Sequence, residues 1–196
     1  MMQLVMGSAN PDKVAEMAEL LSGFDILPRP ESLGEVIEDA PTLEGNARLK
    51  ARAVCAAAEA AAVSDDTGLE VDALAGEPGV FSARYGAELP GFDDDPYGTN
   101  VDKLLAAMVE VPDGQRTARF RTVVIVAWPD GTEVVAEGVC EGRIGRARIG
   151  DGGFGYDPVF LPDEAPGESF ATMSSDAKHA ISHRGRALRA LASKIG

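Results

Sequence analysis

Two β-rich runs, Arg116 to Trp128 and Glu133 to Ile144, are joined by Pro129-Asp130-Gly131. β-Branched and aromatic runs flanking such a turn specify an antiparallel hairpin. Around it the chain alternates strand-like and helix-like patterns. The expected class is therefore α/β with a mixed sheet. Gln3 to Met6 reads as a short buried strand. Asn10 as N-cap and Pro11 at the first helical position open a helix running to about Leu21. Phe24 to Leu27 and Glu35 to Ile37 read as short strands. Thr42-Leu43-Glu44-Gly45-Asn46 leads an alanine-rich helix to about Ala62. A third helix is expected over about Val101 to Val109, behind a Thr99-x-x-Asp102 pattern that resembles a capping box. A strand at Val159 to Leu161 and helices at about Asp176 to Ile181 and Arg184 to Ile195 complete the reading.

The 196 residues suit one domain, or two small lobes around a shared sheet. No apolar run approaches the roughly 18 residues of a membrane helix, and the amino terminus lacks the basic region of a secretory leader. Cys55 and Cys140 form no CxxC pair, which points to neither a disulfide framework nor a zinc site and suits the cytoplasm. A net charge of −14 argues against binding to a nucleic-acid backbone. It leaves a nucleotide substrate open, because a metal and a few cations can invert the field locally.

The chemistry concentrates in a few segments. Asp65 and Asp66 end an apolar approach and precede Thr67-Gly68, which reads as a strand end opening into a turn. Side chains alternate on a strand, so one carboxylate faces a site while the other fixes the backbone. Such a carboxylate suits Mg2+ or a water to be deprotonated. The segment Gly7 to Lys13 sets helix-terminal N–H groups beside a lysine, a phosphate-type site. Gly150-Asp151-Gly152-Gly153-Phe154-Gly155 fits GxGxxG only formally. Tyr156-Asp157-Pro158 follows instead of a helix, so this is a ligand loop in which Phe154 and Tyr156 offer flat surfaces to a base. His179 and His183 are four apart, but Ser182-His183 looks like a new helix start and no third soft ligand is near. A metal pair is rejected there.

Six segments in order now make a pattern: Ser8-x-Asn10-x-x-Lys13, Thr42-Leu43-x-x-Asn46-Ala47-x-x-Lys50-Ala51, Asp65-Asp66-Thr67-Gly68-Leu69-Glu70-Val71, Gly76-x-Pro78-Gly79-x-x-Ser82-Ala83-Arg84, Gly152-Gly153-Phe154-Gly155-Tyr156-Asp157-Pro158 and Ser182-His183-Arg184-Gly185. The chain resembles, from end to end, the inosine/xanthosine triphosphate pyrophosphatases. The resemblance implies Mg2+-dependent cleavage of ITP, dITP or XTP to the monophosphate and pyrophosphate by a cytoplasmic homodimer. It implies one domain over residues 1–196, with an elongated mixed β-sheet flanked by helices forming two lobes and a nucleotide cleft between them. It assigns Asp66 as proton acceptor and metal ligand, with Glu38 as second ligand and Asp39 as its possible substitute. Substrate binding falls to Ser8, Ala9, Asn10, Pro11, Asp12, Lys13, Lys50, Thr67, Lys178, His183 and Arg184, and the base-recognition loop to Phe154, Gly155, Tyr156 and Asp157. Rival readings are a pyrimidine-directed relative of the septum-formation-inhibitor group and a nucleotide-sensing module without turnover. The first lacks its SxSPRR-like amino-terminal pattern here.

Overall fold

The computed structural model describes residues 2–196. Among them are seven strands: β1 (Gln3–Met6), β2 (Asp25–Leu27), β3 (Ala62–Val71), β4 (Pro78–Gly79), β5 (Thr117–Ala127), β6 (Glu133–Ile144) and β7 (Phe160–Pro162). Five α-helices accompany them: α1 (Pro11–Leu20), α2 (Leu43–Ala58), α3 (Pro96–Ala107), α4 (Ser175–Ile181) and α5 (His183–Ile195). The sheet order is β2-β1-β3-β5-β6-β7, with β4 paired to β3. β1 runs parallel to β2 and β3, whereas β4 and β7 pair antiparallel with their neighbours. The sheet is mixed, as the hairpin requires.

The chain divides into two compact units. The first takes the chain up to Thr67, Thr122–Gly138 and His183–Gly196; the second takes Gly68–Arg121 and Val139–Ser182. Each has its own core. In the first, Leu4, Met6, Met17, Val63, Val124 and Leu188 pack together. In the second, Phe120, Phe160 and Phe170 form an aromatic cluster, with Phe160 centred 4.7 Å from Phe120 and 5.0 Å from Phe170. Leu69, Leu104 and Met108 surround it. Burial of each such side chain stabilises by about 1.5–3 kcal/mol.

Several boundaries differ from the sequence reading, each for a local reason. β3 does not turn at Asp65-Asp66-Thr67-Gly68 but continues to Val71. Its pairing with β1 and β5 overrides the turn preference of Thr-Gly. α2 stops at Ala58 on a left-handed Glu59 (φ 50°), which frees Ala62 to pair with Val5. α3 starts five residues before Val101, because Asp95 caps it through Gly98 N (2.8 Å) and Pro96 supplies the preset first φ. Glu35 to Ile37 adopts no regular structure.

One close approach sets the first unit. A Cβ on Gly138 of β6 would lie 2.1 Å from His183 O and 2.4 Å from Ala187 N. The first turn of α5 thus rests directly on the strand backbone, which only glycine allows.

Candidate active site

The amino end of α1 is held by its own side chains. Asn10 Oδ1 accepts from Asp12 N (2.9 Å) and Lys13 N (3.3 Å), and Ser8 Oγ accepts from Asn10 N (3.2 Å). Gly7 lies tight against β3: its N–H donates to Val63 O at 2.7 Å, and a Cβ there would sit 2.7 Å from Ser64 Cβ. This anchoring aims Lys13 at β3, where its Nζ lies 3.3 Å from Asp65 Oδ2.

Asp65 is 1% exposed and holds a cluster of cations. Its Oδ2 also receives Arg184 Nε and Nη2, both at 3.4 Å, and Thr67 Oγ1 at 3.1 Å. Thr67 in turn shares a hydrogen bond with Thr122 (2.7 Å), and Arg184 pairs with Glu16 on α1. Burial alone would raise the Asp65 carboxyl, but Lys13, Arg184 and Lys50 outweigh it and hold it well below the usual carboxylate range. Burial correspondingly lowers the Lys13 ammonium, against the pull of Asp65.

Asp66, one residue on, faces the other way, as strand alternation requires. Its Oδ1 lies 3.0 Å from Lys50 Nζ and its Oδ2 accepts from Asn46 Nδ2 at 3.4 Å. Asn46 and Lys50 are four apart on α2, share one buried face and so meet the same carboxylate. Lys50 Nζ also lies 2.8 Å from Glu38 Oε2. The segment carrying Glu38 is tied to α2 by Ala40 N donating to Asn46 Oδ1 (3.0 Å). Asp39 is exposed, so Glu38 rather than Asp39 joins Asp66 around the ammonium.

The two adjacent acids therefore titrate in opposite directions. Burial pushes the Asp66 carboxyl up, and the nearby Lys50 and Lys13 only partly offset it. Lys50 loses proton affinity through burial but regains more from Asp66, Asp65 and Glu38, leaving it raised. A carboxylate with raised proton affinity is suited to accept a proton near neutrality. Among the described residues no group of three or more His, Cys, Asp or Glu side chains gathers into a metal cage. Mg2+ commonly uses only one or two carboxylates and completes its shell with water and substrate phosphate. The Glu38–Asp66 pair fits that donor set.

In the second unit, the glycine-rich loop turns on Gly153 (φ 68°) and Gly155 (φ 61°). Asp157 is buried within it, accepting from Phe154 N (3.0 Å) and lying 2.8 Å from Lys178 Nζ on α4. Lys178 Nζ stands 5.1 Å from the Phe154 ring centre, and Tyr97 lies 5.9 Å from Phe154 centre to centre. Tyr156 corrects the sequence reading. It is 4% exposed, belongs to the core and donates its hydroxyl to Ser82 O (2.9 Å). Its ring is consumed by packing, so the flat surface of the loop is that of half-buried Phe154.

Of the remaining expected residues, Ala9 and Pro11 are exposed at the α1 start, and Asp12 is half-buried there. His183 and Arg184, 3% and 2% exposed, begin α5, while His179 belongs to α4. Sequence reasoning did not single out Glu16, Asn46 or Thr122 as site residues. Asn46 stands four residues before Lys50, and that helical spacing was the available clue. Glu16 and Thr122 carried none, since only folding brings them to Arg184 and Thr67.

The Ham1 family model matches residues 4–194. A protein of Nitratidesulfovibrio vulgaris named dITP/XTP pyrophosphatase is 47% identical, covering 96% of this chain and 93% of its own. One of the same name from Bacillus cereus is 44% identical, covering 100% and 95%. Among solved structures, a HAM1 protein from Coxiella burnetii superposes with a TM-score of 0.86 at 34% identity, covering 100% of this chain and 98% of the other. A dITP/XTP pyrophosphatase from Mycobacterium abscessus gives 0.74 at 39% identity, with 97% of each covered.

Proposed function

The chain belongs to the Ham1 family, and from that premise we propose that it hydrolyses dITP, XTP and ITP to the monophosphate and pyrophosphate. The observation that supports this best is the Asp66–Lys50–Glu38 group, with Asp66 and Lys50 buried, beside a lysine-bearing helix start. It joins a base, a pair of hard-cation ligands and phosphate-binding ammonium groups within one unit.

In this reading Asp66, its proton affinity raised by burial, orients the attacking water and accepts its proton. Lys13 and the N–H groups at the start of α1 hold phosphate oxygens. Asp65 keeps Lys13 and Arg184 charged and fixed in direction. Glu38 and Asp66 would hold Mg2+, which supplies neutralisation of the charge developing on the phosphoryl oxygens. Phe154 offers its face to the purine, and Lys178 and Asp157 fix the loop that carries it.

Selectivity has a simple physical form. Hypoxanthine and xanthine accept a hydrogen bond at position 6, whereas adenine donates one there. Backbone N–H groups at His183 and Arg184 directed to that position would leave donor facing donor for adenine. A buried mismatch of that kind discriminates by about 10⁴ or more. Mg2+ dependence, a homodimeric assembly and a cytoplasmic location belong to the same reading. No helix among the described residues is long and apolar enough to cross a membrane.

Incubation with dITP, XTP or ITP and Mg2+, with pyrophosphate and orthophosphate measured separately, tests the proposal. Pyrophosphate with monophosphate is expected. Orthophosphate would mean a different bond is cut, and nucleotide binding without product would leave a sensing module.

A further inference from the structure

The ammonium of Lys50 lies between the two carboxylates assigned above to the metal, 2.8 Å from Glu38 and 3.0 Å from Asp66. Lys50 is buried, and Asn46 takes the other oxygen of Asp66. An internal cation thus already satisfies the pair. A divalent ion added to this arrangement would face a positive charge at contact range, in a region where burial weakens screening. The lysine has somewhere to go: its four-carbon stem is flexible, and its three N–H groups suit a phosphate oxygen as well as a carboxylate.

We propose that Lys50 is a resident counter-ion for the Glu38–Asp66 pair and changes places with the divalent cation, so that metal loading releases its ammonium to the nucleotide phosphates. The proposal rests on the pyrophosphatase reading above. It makes metal and nucleotide bind with positive coupling, because each stabilises the arrangement the other needs. The other charged groups that act on the ammonium, through space from the opposite face of β3, are Asp65 and Lys13, and both stay in place during the exchange because they are paired to each other there.

Mn2+ binding measured by electron paramagnetic resonance without nucleotide tests this. Lys50→Met is expected to bind Mn2+ about tenfold tighter than the native protein, since a like charge has been removed from the site. It should also lose most of the tightening that an α,β-methylene analogue of ITP produces in the native protein. Lys50→Arg, which keeps the charge, should bind Mn2+ alone as weakly as native. Equal or weaker Mn2+ binding by a folded Lys50→Met would overturn the exchange. If that variant does not fold, the Lys50 ammonium can be followed by NMR in the native protein as Mg2+ is added. An unmoved resonance at saturating Mg2+ would overturn it equally. Native protein that releases pyrophosphate yet fails these tests loses only the exchange, whereas absent pyrophosphate release removes the underlying reading.

Discussion

Gly138→Ala would press directly on the part of the chain that presents His183 and Arg184. The added methyl would meet His183 O at 2.1 Å, Ala187 N at 2.4 Å and Arg186 Cβ at 2.9 Å, where ordinary contact begins at 3.4 Å. Two of the three atoms are helix backbone, so no rotamer change relieves the overlap. α5 must move off β6 by about 1 Å, and overpacking of this kind costs about 1–3 kcal/mol. The rigid neighbours place it at the upper end, near 3 kcal/mol, which for a chain of this size lowers Tm by about 6–12 °C. Arg184 would be carried away from Asp65 Oδ2, now 3.4 Å distant. Misplacement by about 1 Å can cost on the order of 10²-fold in rate. Thermal unfolding followed by circular dichroism, and kcat/KM with dITP, measure both effects. Gly114→Ala is the control: a Cβ there meets nothing within 4 Å, so Tm should hold. A Gly138→Ala protein with native Tm and native kcat/KM would refute the steric argument.

Two further predictions concern the adjacent acids. Asp66→Asn should lower pyrophosphate release by roughly 10²–10⁴ while removing the Asp66 share of the fall in metal-free stability as pH rises. The sign follows from the raised folded-state value: below about pH 4 the group is protonated folded or unfolded, and stability falls as pH rises through the folded value. Metal-free stability of Asp66→Asn that falls with rising pH as steeply as that of the native protein would contradict this. Asp65→Asn should do the opposite, costing about 3–5 kcal/mol at neutral pH by leaving Lys13 and Arg184 without their shared anion. Because its folded-state value is depressed, Asp65 stabilises above about pH 4 and loses that contribution only in stronger acid. A denaturant midpoint unchanged at neutral pH and falling only in acid would show the cluster to be dispensable.

Where one residue's chemistry decides the local structure, the sequence was readable. Asn10 and Pro11 open α1 as expected, and Pro129-Asp130-Gly131 joins β5 to β6. Where pairing decides, it was not. Asp65 to Gly68 has a turn's composition, yet it stays extended within β3, which lies between β1 and β5 in the sheet. Ala62 has a helix former's composition, yet its partner Val5 claims it for β3. The same division runs through the site. Lys13, Lys50 and Asp66 carry their chemistry in their identity, and Lys50 and Asp66 meet. The cation pairing of Asp65 depends on Arg184, 119 residues away, which no local pattern announces. Tyr156 was misread because an aromatic in a glycine-rich loop looks exposed until Ser82 supplies its buried partner.

The opposite facing of the two acids on β3 makes the alignment of β1 with β3, Val5 to Ala62 and Met6 to Val63, a chemical requirement as well as a structural one. A slip of a single residue would turn every side chain over. The acid that now gathers Lys13 and Arg184 would be handed to Lys50, and the one with the stronger hold on its proton would vanish into the arginine's embrace. Deleting or inserting one residue between Ala62 and Asp66 should therefore silence the protein even if the sheet survives.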